Sequence, residues 1–443
     1  MLKPYDGYKG TDQLWLDSVP KHWDMIKTKY LFSERSSKGF PDEPLLVASQ
    51  NMGVVPKGVY GNRTVEATKD LHLLKLVKVG DFVISLRSFQ GGIEYAYYQG
   101  IISPAYTVMI PKSFIAANYF RHLAKSKTFI ELLQMCVTGI REGQNVDYNK
   151  LKNYRLPVPP RKEQDQIVKY LDWQTAKINT LIKAKKKQIE LLKEQKQAVI
   201  NKAVTKGLDD TVPMKDSGIE WLGEVPEHWE VFLNKRLYME NVRKFEVGET
   251  VLSLSQKSGL IPYSEMKERS MHTSTYDNWK LVLPNDLVLN RFKAHLGVLF
   301  SSAYKGIVTF HYGVYEPQLP ILSQYYELLY HTPAYCCIFA GRSNGMTVGL
   351  QNLSNQNFYN VYSVYPPLQE QQAIVTYLEE KTALIDKAIA VIEKEIELVS
   401  EYKTSLISSV VTGKVDVRDV VVPDFEVVED VAEVENDEDE MGG

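Results

Sequence analysis

The sequence has few cysteines and no long apolar run, and each absence excludes a class of protein. The three cysteines, Cys136, Cys336 and Cys337, form no Cys-x-x-Cys pair. This argues against a disulfide scaffold or a zinc ribbon and fits a reducing compartment. No stretch approaches the ~18 consecutive apolar residues of a membrane span, and the first residues lack the apolar core of a signal peptide. We therefore expect a globular protein of the cytoplasm.

Motifs of common catalytic sites are also missing. Gly413-Lys414 lacks the upstream glycine of a phosphate-binding loop. Tyr365-Pro366-Pro367-Leu368 lacks the leading Asn or Asp of the amino-methyltransferase tetrapeptide, and Pro423-Asp424 lacks the spaced acid and lysine of a restriction nuclease. No glycine-rich cofactor loop follows a strand. We therefore expect a chain that is not an enzyme by itself and that binds no metal and no cofactor.

The net charge of −3 conceals an uneven distribution. Residues 419–443 contain eleven acids and no Lys or Arg, which leaves 52 basic against 44 acidic residues in the remainder. A basic body suggests a polyanionic partner. We interpret residues 417–443 as an acidic, solvated and disordered tail.

The most informative feature is an internal duplication with an offset of 205–207 residues. The matched blocks are Trp15–Trp23 with Trp221–Trp229, Leu45–Pro56 with Val251–Pro262, Gly80–Val83 with Asn285–Val288, Gln144–Val146 with Gln351–Leu353, and Pro159–Val168 with Pro366–Val375. Such a period is too long for a solenoid repeat, so each half is a full domain with its own connector. We predict globular regions at 1–158 and 209–365, and helical segments at 159–208 and 366–416.

The two helical segments carry coiled-coil patterns. Apolar residues recur every seven positions in the second segment, at Leu378, Ile385, Ile392, Val399 and Leu406. The corresponding stripe of the first segment is Leu171, Ile178, Lys185, Leu192 and Val199, in which Lys185 interrupts the apolar pattern. The simplest way to cover both stripes packs the helices against each other, antiparallel, with the globular regions at opposite ends. The alternative, in which each helix folds back on its own globular region, stays open.

The predicted fold class is therefore α+β. Two mixed α/β regions are separated by two long antiparallel coiled-coil helices, and the halves form a pseudo-twofold internal repeat.

Polar loops at matched positions are candidates for DNA binding, since Arg suits guanine and Asn or Gln suits adenine in the major groove. The loop after one strand supplies Arg87, Ser88 and Gln90, and its counterpart supplies Asn290, Arg291, Lys293 and His295. A second pair of loops supplies Arg141, Gln144 and Asn145 in the first half, and Arg342 and Asn344 in the second. The loops at matched positions have similar surrounding sequences but different polar residues. This pattern is expected of two domains that recognise different DNA sequences.

The repeated blocks resemble the specificity subunit of type I restriction-modification systems. The resemblance rests on Pro159–Gln164 and Pro366–Gln371, which are Pro-Pro-x-x-Glu-Gln motifs, on Val19–Trp23 and Val225–Trp229, and on Gly80-Asp81. It covers about residues 10 to 416. Asn285 departs from the family pattern, where glycine is usual, and Val348 lies where the first half has Arg141.

The resemblance implies a division of labour. Each globular region would be a target-recognition domain that reads one half of a split double-stranded DNA target, while the helices set the unread spacer. Two modification subunits would dock here and bring S-adenosylmethionine to an adenine of each half-site, and restriction subunits would add cleavage driven by ATP and Mg²⁺. We expect Glu163, Gln164, Glu370 and Gln371 of the repeated motif to contact partner subunits.

Two other functions remain open from the sequence. One is a self-sufficient restriction-modification enzyme, against which the missing catalytic motifs argue. The other is a coiled-coil adaptor without DNA specificity.

Overall fold

The computed structural model describes residues 3–50, 52–60, 70–138, 145–244, 248–256, 258–266, 278–345 and 351–425. The chain forms two compact units. Unit 1 comprises Met1–Lys187 and Ile392–Gly443, and unit 2 comprises Gln188–Val391.

Unit 1 contains short strands, short helices and parts of both long helices. Its strands are β1 (Tyr8–Gln13), β2 (Leu16–Pro20), β3 (Asp24–Lys27), β4 (Phe32–Arg35), β5 (Leu46–Ser49), β6 (Gly53–Pro56), β7 (Lys75–Val77), β8 (Phe82–Ile84), β9 (Glu94–Tyr95), β10 (Gly100–Ile102), β11 (Thr107–Pro111), β12 (Val137–Thr138), β13 (Asn145–Val146) and β14 (Arg155–Val158). Its helices are α1 (Thr28–Leu31), α2 (Lys57–Tyr60), α3 (Ser88–Gly91), α4 (Ala117–Ala124), α5 (Lys127–Met135), α6 (Tyr148–Leu151) and the first part of α7 (Arg161–Lys206).

Unit 2 follows the same order. Its strands are β15 (Met214–Asp216), β16 (Glu224–Pro226), β17 (Glu230–Leu233), β18 (Tyr238–Glu240), β19 (Leu252–Ser255), β20 (Gly259–Pro262), β21 (Lys280–Val282), β22 (Leu287–Asn290), β23 (Leu299–Ser301), β24 (Gly306–Val308), β25 (Tyr312–Pro317) and β26 (Tyr362–Tyr365). Its helices are α8 (Asn234–Leu237), α9 (Ser323–Tyr330), α10 (Pro333–Arg342), α11 (Asn355–Tyr359) and the first part of α12 (Leu368–Val411), whose last part lies in unit 1.

The sheets repeat from one unit to the other. Unit 1 has a four-stranded antiparallel sheet of order β4-β11-β8-β9, and unit 2 has β18-β25-β22-β23. The hairpin β5–β6 matches β19–β20, and the pair β3–β14 at the start of α7 matches β17–β26 at the start of α12. The duplication in the sequence is therefore a duplication of architecture.

A buried ion pair explains why one of the matched blocks contains Asp. Asp81 accepts two hydrogen bonds from Arg35, at 2.8 and 3.0 Å, and one from the backbone of Lys78. In unit 2, Asp286 is paired in the same way with Arg243. Both carboxylates are buried, so each needs the cation and the backbone donor to offset the loss of water.

The residue before each of these aspartates is in the left-handed region. Gly80 has φ +91°, and Asn285 has φ +70°. Asn is one of the few side chains that tolerate this conformation. The departure from glycine at residue 285 therefore preserves the turn.

The long helices pair in antiparallel fashion within each unit. In unit 1 the side chain of Lys185 bonds Glu395 at 2.6 Å, and Lys403 bonds Asn179 at 2.9 Å. In unit 2 Lys196 bonds Asp386 at 2.7 Å. Residue numbers fall along α12 as they rise along α7, as predicted. Lys185, which interrupts the apolar stripe, thus has an acidic partner on the facing helix.

Residues of the two apolar stripes are part of the cores of both units. Leu171, Ile178 and Leu406 belong to the core of unit 1, and Leu378 belongs to the core of unit 2. These helices therefore form part of the globular cores as well as pairing with each other.

Residues 417–425, which we assigned to the acidic tail, are packed in unit 1. Val417 and Val422 are buried in its core, and the Gln166 side chain donates to the backbone oxygens of Val417 and Val420 at 3.0 and 2.7 Å. The tail was predicted from its acidic composition, which gave no weight to the apolar contacts of these valines. The rest of the predicted tail lies outside the described residues.

The packing of Leu378 gives a stability prediction. Leu378 is 1% exposed, so Leu378→Ala should lower the free energy of unfolding by about 2–5 kcal/mol through lost transfer energy and a cavity. Leu384→Ala, on the same helix at 63% exposed, is the matched control and should change it by less than about 0.5 kcal/mol. Thermal unfolding of the full chain measures both. Equal shifts for the two variants would contradict the assigned helix face.

Candidate nucleic-acid interface

Loop 1, residues 85–92, follows β8 and contains α3. The Ser85 backbone donates to the Ser88 hydroxyl at 2.9 Å, which fixes the turn into α3. Ser88 is fully buried, so direct contact with DNA is not available to it in this conformation. Arg87 and Gln90 are exposed on the same loop. Loop 1 therefore presents one cation and one amide.

Asn145, the described member of the second predicted set in unit 1, lies in a strand next to loop 1. Helix α3 packs against β13, whose residue Asn145 is partly buried in the strand pair β12–β13. Arg141 and Gln144 lie outside the described residues. The strand that carries Asn145 therefore lies beside loop 1.

Lys125 and Gln50 connect loop 1 to its surroundings. The Lys125 ammonium donates to the backbone oxygens of Gly91 at 3.0 Å and Gln50 at 3.1 Å, and to both Glu94 carboxylate oxygens at 2.7 Å. The Gln50 side chain, at the tip of hairpin β5–β6, donates to the Arg87 backbone oxygen at 3.3 Å. Loop 1 is therefore held from two sides.

Glu94 is almost completely buried. Burial raises its pKa to about 7, against the opposing effect of the Lys125 charge and hydrogen bonds. A carboxyl group that is 1% exposed beneath an exposed loop depends strongly on its one cationic partner.

Loop 2, residues 290–297, follows β22 in unit 2. Its residue Arg291 is engaged inside the protein, since Nη2 donates to Glu240 at 2.6 Å and to Asn355 at 2.7 Å. Lys280 also bonds Glu240, at 2.7 Å. Burial would raise the pKa of Glu240, but the hydrogen bond from Lys280 and the Arg291 and Lys280 charges lower it overall. Arg291 is thus committed to an internal ion pair, which removes the support for a base contact.

The other predicted residues of unit 2 differ in accessibility. Lys293, Arg342 and Asn344 are exposed. Asn290 uses its side-chain oxygen to accept from the Phe292 backbone at 3.1 Å, and His295 is partly buried. Loop 2 packs against α10, the helix that ends at Arg342.

The Glu-Gln pair of the first repeated motif anchors α7 to unit 1. Glu163 accepts from Tyr5 at 2.6 Å and from the Trp23 indole at 2.8 Å, and its other oxygen lies 2.8 Å from the His22 ring. Gln164 accepts from the Ala116 backbone at 2.8 Å and donates to the Pro159 oxygen. This helix anchor joins two of the matched sequence blocks.

The same anchor recurs in unit 2. Glu370 accepts from the Trp229 indole at 3.0 Å and contacts His228 at 2.7 Å, and Gln371 accepts from the Leu322 backbone at 2.9 Å. Glu163 is 6% exposed, whereas Glu370 is 40% exposed. The two anchors thus share the Trp and His contacts of the glutamate and the backbone donor to the glutamine, but they differ in burial and in the Tyr5 contact of unit 1.

This geometry requires a correction to the expectation that the motif contacts partner subunits. Glu163, Gln164 and Gln371 are buried, and their polar atoms bind this chain. Only Glu370 retains substantial exposure. The motif recurs because each helix start must be tied to its own strand pair.

Sequence reasoning missed the residues that hold the loops. Gln50 and Gln256 fall in a matched block and each donates to a backbone oxygen of its loop, Arg87 in unit 1 and Leu296 in unit 2 at 3.4 Å. The recurrence of Gln at this position of the matched block could have indicated a structural role. The sequence gives no such indication for Lys125 and Glu94, because an ion pair between them depends on the tertiary fold.

Comparisons with known proteins support the resemblance. Residues 27–191 match the model of the type I restriction modification DNA specificity domain. The MjaVIII type I restriction enzyme specificity subunit of Methanocaldococcus jannaschii is 24% identical over 443 residues, 91% of this chain and 95% of the relative. The MjaX specificity subunit of the same organism is 26% identical over 329 residues, 72% of this chain and 69% of the relative.

A solved chain has the same fold. It comes from a study of complex assembly and conformational transition of the type I R-M system, with a TM-score of 0.63 and 13% identity over 89% of this chain and 99% of that chain. The predicted resemblance to type I specificity subunits and the predicted fold class are confirmed. Among the described residues, every helix is too short or too polar to span a membrane.

The helix anchor gives a testable asymmetry. Glu163→Ala leaves Tyr5 and the Trp23 indole, both buried, without their acceptor, at about 1–3 kcal/mol for each unpaired group. Glu370→Ala should cost less, because it removes the acceptor of one indole, that of Trp229, at a site that water reaches, and no tyrosine. Thermal unfolding of the two variants compares them. A loss of stability in Glu370→Ala as large as in Glu163→Ala would contradict the roles assigned to burial and to the Tyr5 contact.

Proposed function

We propose that this chain is the DNA sequence-specificity subunit of a type I restriction-modification complex, with each unit reading one half of a bipartite target. The observation that carries the proposal is the recurrence, after the matched strands β8 and β22, of a loop with exposed polar residues that differ between units. Loop 1 exposes Arg87 and Gln90, and loop 2 exposes Lys293. A shared scaffold with different loop chemistry suits the reading of two different half-sites.

The exposed residues suit both kinds of DNA contact. Arg87 and Arg342 can each make a bidentate contact to guanine, and Gln90 and Asn344 suit adenine. Lys293 suits a phosphate, which positions a protein without reading sequence. Arg291 and Ser88 support this role through the structure of the loops and not through contact.

The paired helices are proposed to set the unread gap and to dock partners. In unit 2, α12 exposes Leu384 and Val391, seven residues apart, and carries a shallow, open surface of mixed polarity that includes Gln369, Ala373 and Tyr377. Exposed apolar residues at heptad spacing favour a partner helix. We assign this surface to modification subunits, which would carry S-adenosylmethionine, while restriction subunits would supply ATP- and Mg²⁺-dependent cleavage. This chain itself would not be catalytic.

Shortening both helices tests the role in spacing. Deleting residues 185–191 and 390–396 removes Lys185 and its partner Glu395 together and keeps the heptad register. Seven residues at 1.5 Å each are about 10 Å, or about three base pairs. Sequencing of methylated DNA should show the same half-sites with a gap shorter by about three base pairs. Altered half-sites with an unchanged gap would contradict the assignment.

Exchanging one globular region tests the reading of half-sites. Replacing residues 1–155 by the equivalent region of another specificity subunit should change the first half-site and leave the second unchanged. The readout is the methylated motif produced with the same modification subunits. A change in both half-sites would argue against independent readers, and the absence of any sequence-specific binding by the complex would favour an adaptor.

A further inference from the structure

The matched position beneath the two loops is occupied by chemically different side chains. Lys125 is the first residue after α4, and His331 is the first residue after α9, at an offset of 206. At the same offset, Glu94 of β9 matches Phe300 of β23, and Gly91 matches Gly297. These residues form two matched pairs, Lys125–Glu94 and His331–Phe300.

The pair in unit 1 is ionic. The Lys125 ammonium bonds both Glu94 oxygens at 2.7 Å and reaches the Gly91 oxygen of loop 1 at 3.0 Å. It also binds the oxygen of Gln50 at the hairpin tip, so a single cation joins three chain segments. Most of the side chain of Lys125 and nearly all of that of Glu94 are withdrawn from solvent.

The pair in unit 2 is aromatic. The rings of His331 and Phe300 have centroids 5.1 Å apart and meet edge to face. The His331 ring also lies directly under loop 2, since a Cβ atom built on Gly297 would come within 3.1 Å of it. The two units thus support the same part of the loop by different interactions.

A buried ion pair is a poor means of gaining stability, because the cost of desolvating both charges offsets most of their attraction. Its geometry is nevertheless demanding, since the ammonium has three donors to direct at fixed acceptors. Lys125 spends these donors on Glu94 and on the carbonyl oxygens of loop 1 and the hairpin. The arrangement determines where loop 1 lies, and Arg87 and Gln90 move with that loop.

We propose that Lys125–Glu94 and His331–Phe300 are positioning pairs that set the conformation of loop 1 and loop 2, and thereby the bases that each unit selects, without contacting DNA. The inference rests on the proposed function. It adds that half-site choice is determined partly from beneath the loops, and differently in the two units.

The experiment uses the full complex with its modification subunits and a DNA library randomised at both half-sites. Lys125→Met breaks the pair in unit 1. Lys127→Met is the matched control, because it removes the same charge from an exposed position two residues away. A double variant, Glu94→Phe with Lys125→His, transfers the aromatic pair of unit 2 into unit 1. Methylated products are sequenced, and thermal unfolding is followed for each variant.

Lys125→Met should lower discrimination in the first half-site by about tenfold or more, comparable to losing one good base contact. It should leave the second half-site unchanged, and Lys127→Met should match the wild type. The double variant should discriminate better than either single change, because it replaces a broken pair by a complete one. If Lys125→Met does not fold, the inference is tested by comparing the double variant with its two single changes.

Three results would overturn the inference. They are wild-type discrimination in Lys125→Met, an equal effect of Lys127→Met, or a double variant that discriminates no better than its single changes. Failure of the proposed function would look different, because the wild-type complex would then show no bipartite preference at all.

Discussion

The structure depends on a carboxylate at the start of each long helix. Glu163 and Glu370 each accept from the indole of a tryptophan in the globular region of their own unit. The tryptophan indole and a neighbouring histidine contact the carboxylate in both units. Glu163 is buried and therefore needs these donors in place of water, whereas Glu370 is partly hydrated. Because the glutamate lies within the first turn of its helix, these bonds fix the point at which the helix leaves the strand pair. The Pro-Pro-x-x-Glu-Gln motif, which we expected to bind partner subunits, thus attaches each long helix to the globular region of its own unit.

Charge determines which helices pair. Helix α7 carries twelve basic and five acidic residues, and α12 carries eight acidic and four basic residues. Facing contacts such as Lys185–Glu395 and Lys196–Asp386 use this complementarity. Each exposed pair contributes little energy, but two copies of the same helix would repel, so the charges favour an α7–α12 pair over a pair of identical helices. Burial of the apolar stripes stabilises the pairing of the helices, and the opposite charges favour α7 with α12 over two identical helices.

Patterns local in sequence predicted most of the architecture, while side-chain roles set by distant partners were not predictable. Heptads at Leu378 and Leu406 predicted the helices, and the recurring blocks predicted the repeat. Arg291 resembled an exposed loop cation, yet its partner Glu240 lies 51 residues away in the chain. Ser88 resembled a loop hydroxyl, but it fixes the turn that exposes Arg87. Glu163 lies 140 residues from Trp23, so the motif was visible while its partner was not. Polar residues of a loop therefore divide into those that face solvent and those that build the loop, and only the tertiary fold separates them.

The central claim is that two similar units, joined by paired helices, read separate parts of one DNA target. The most direct measurement is single-molecule sequencing of DNA methylated by the reconstituted complex. The account predicts a motif of two short specific parts with a constant unread gap. A single uninterrupted motif, or methylation without any sequence preference, would contradict it.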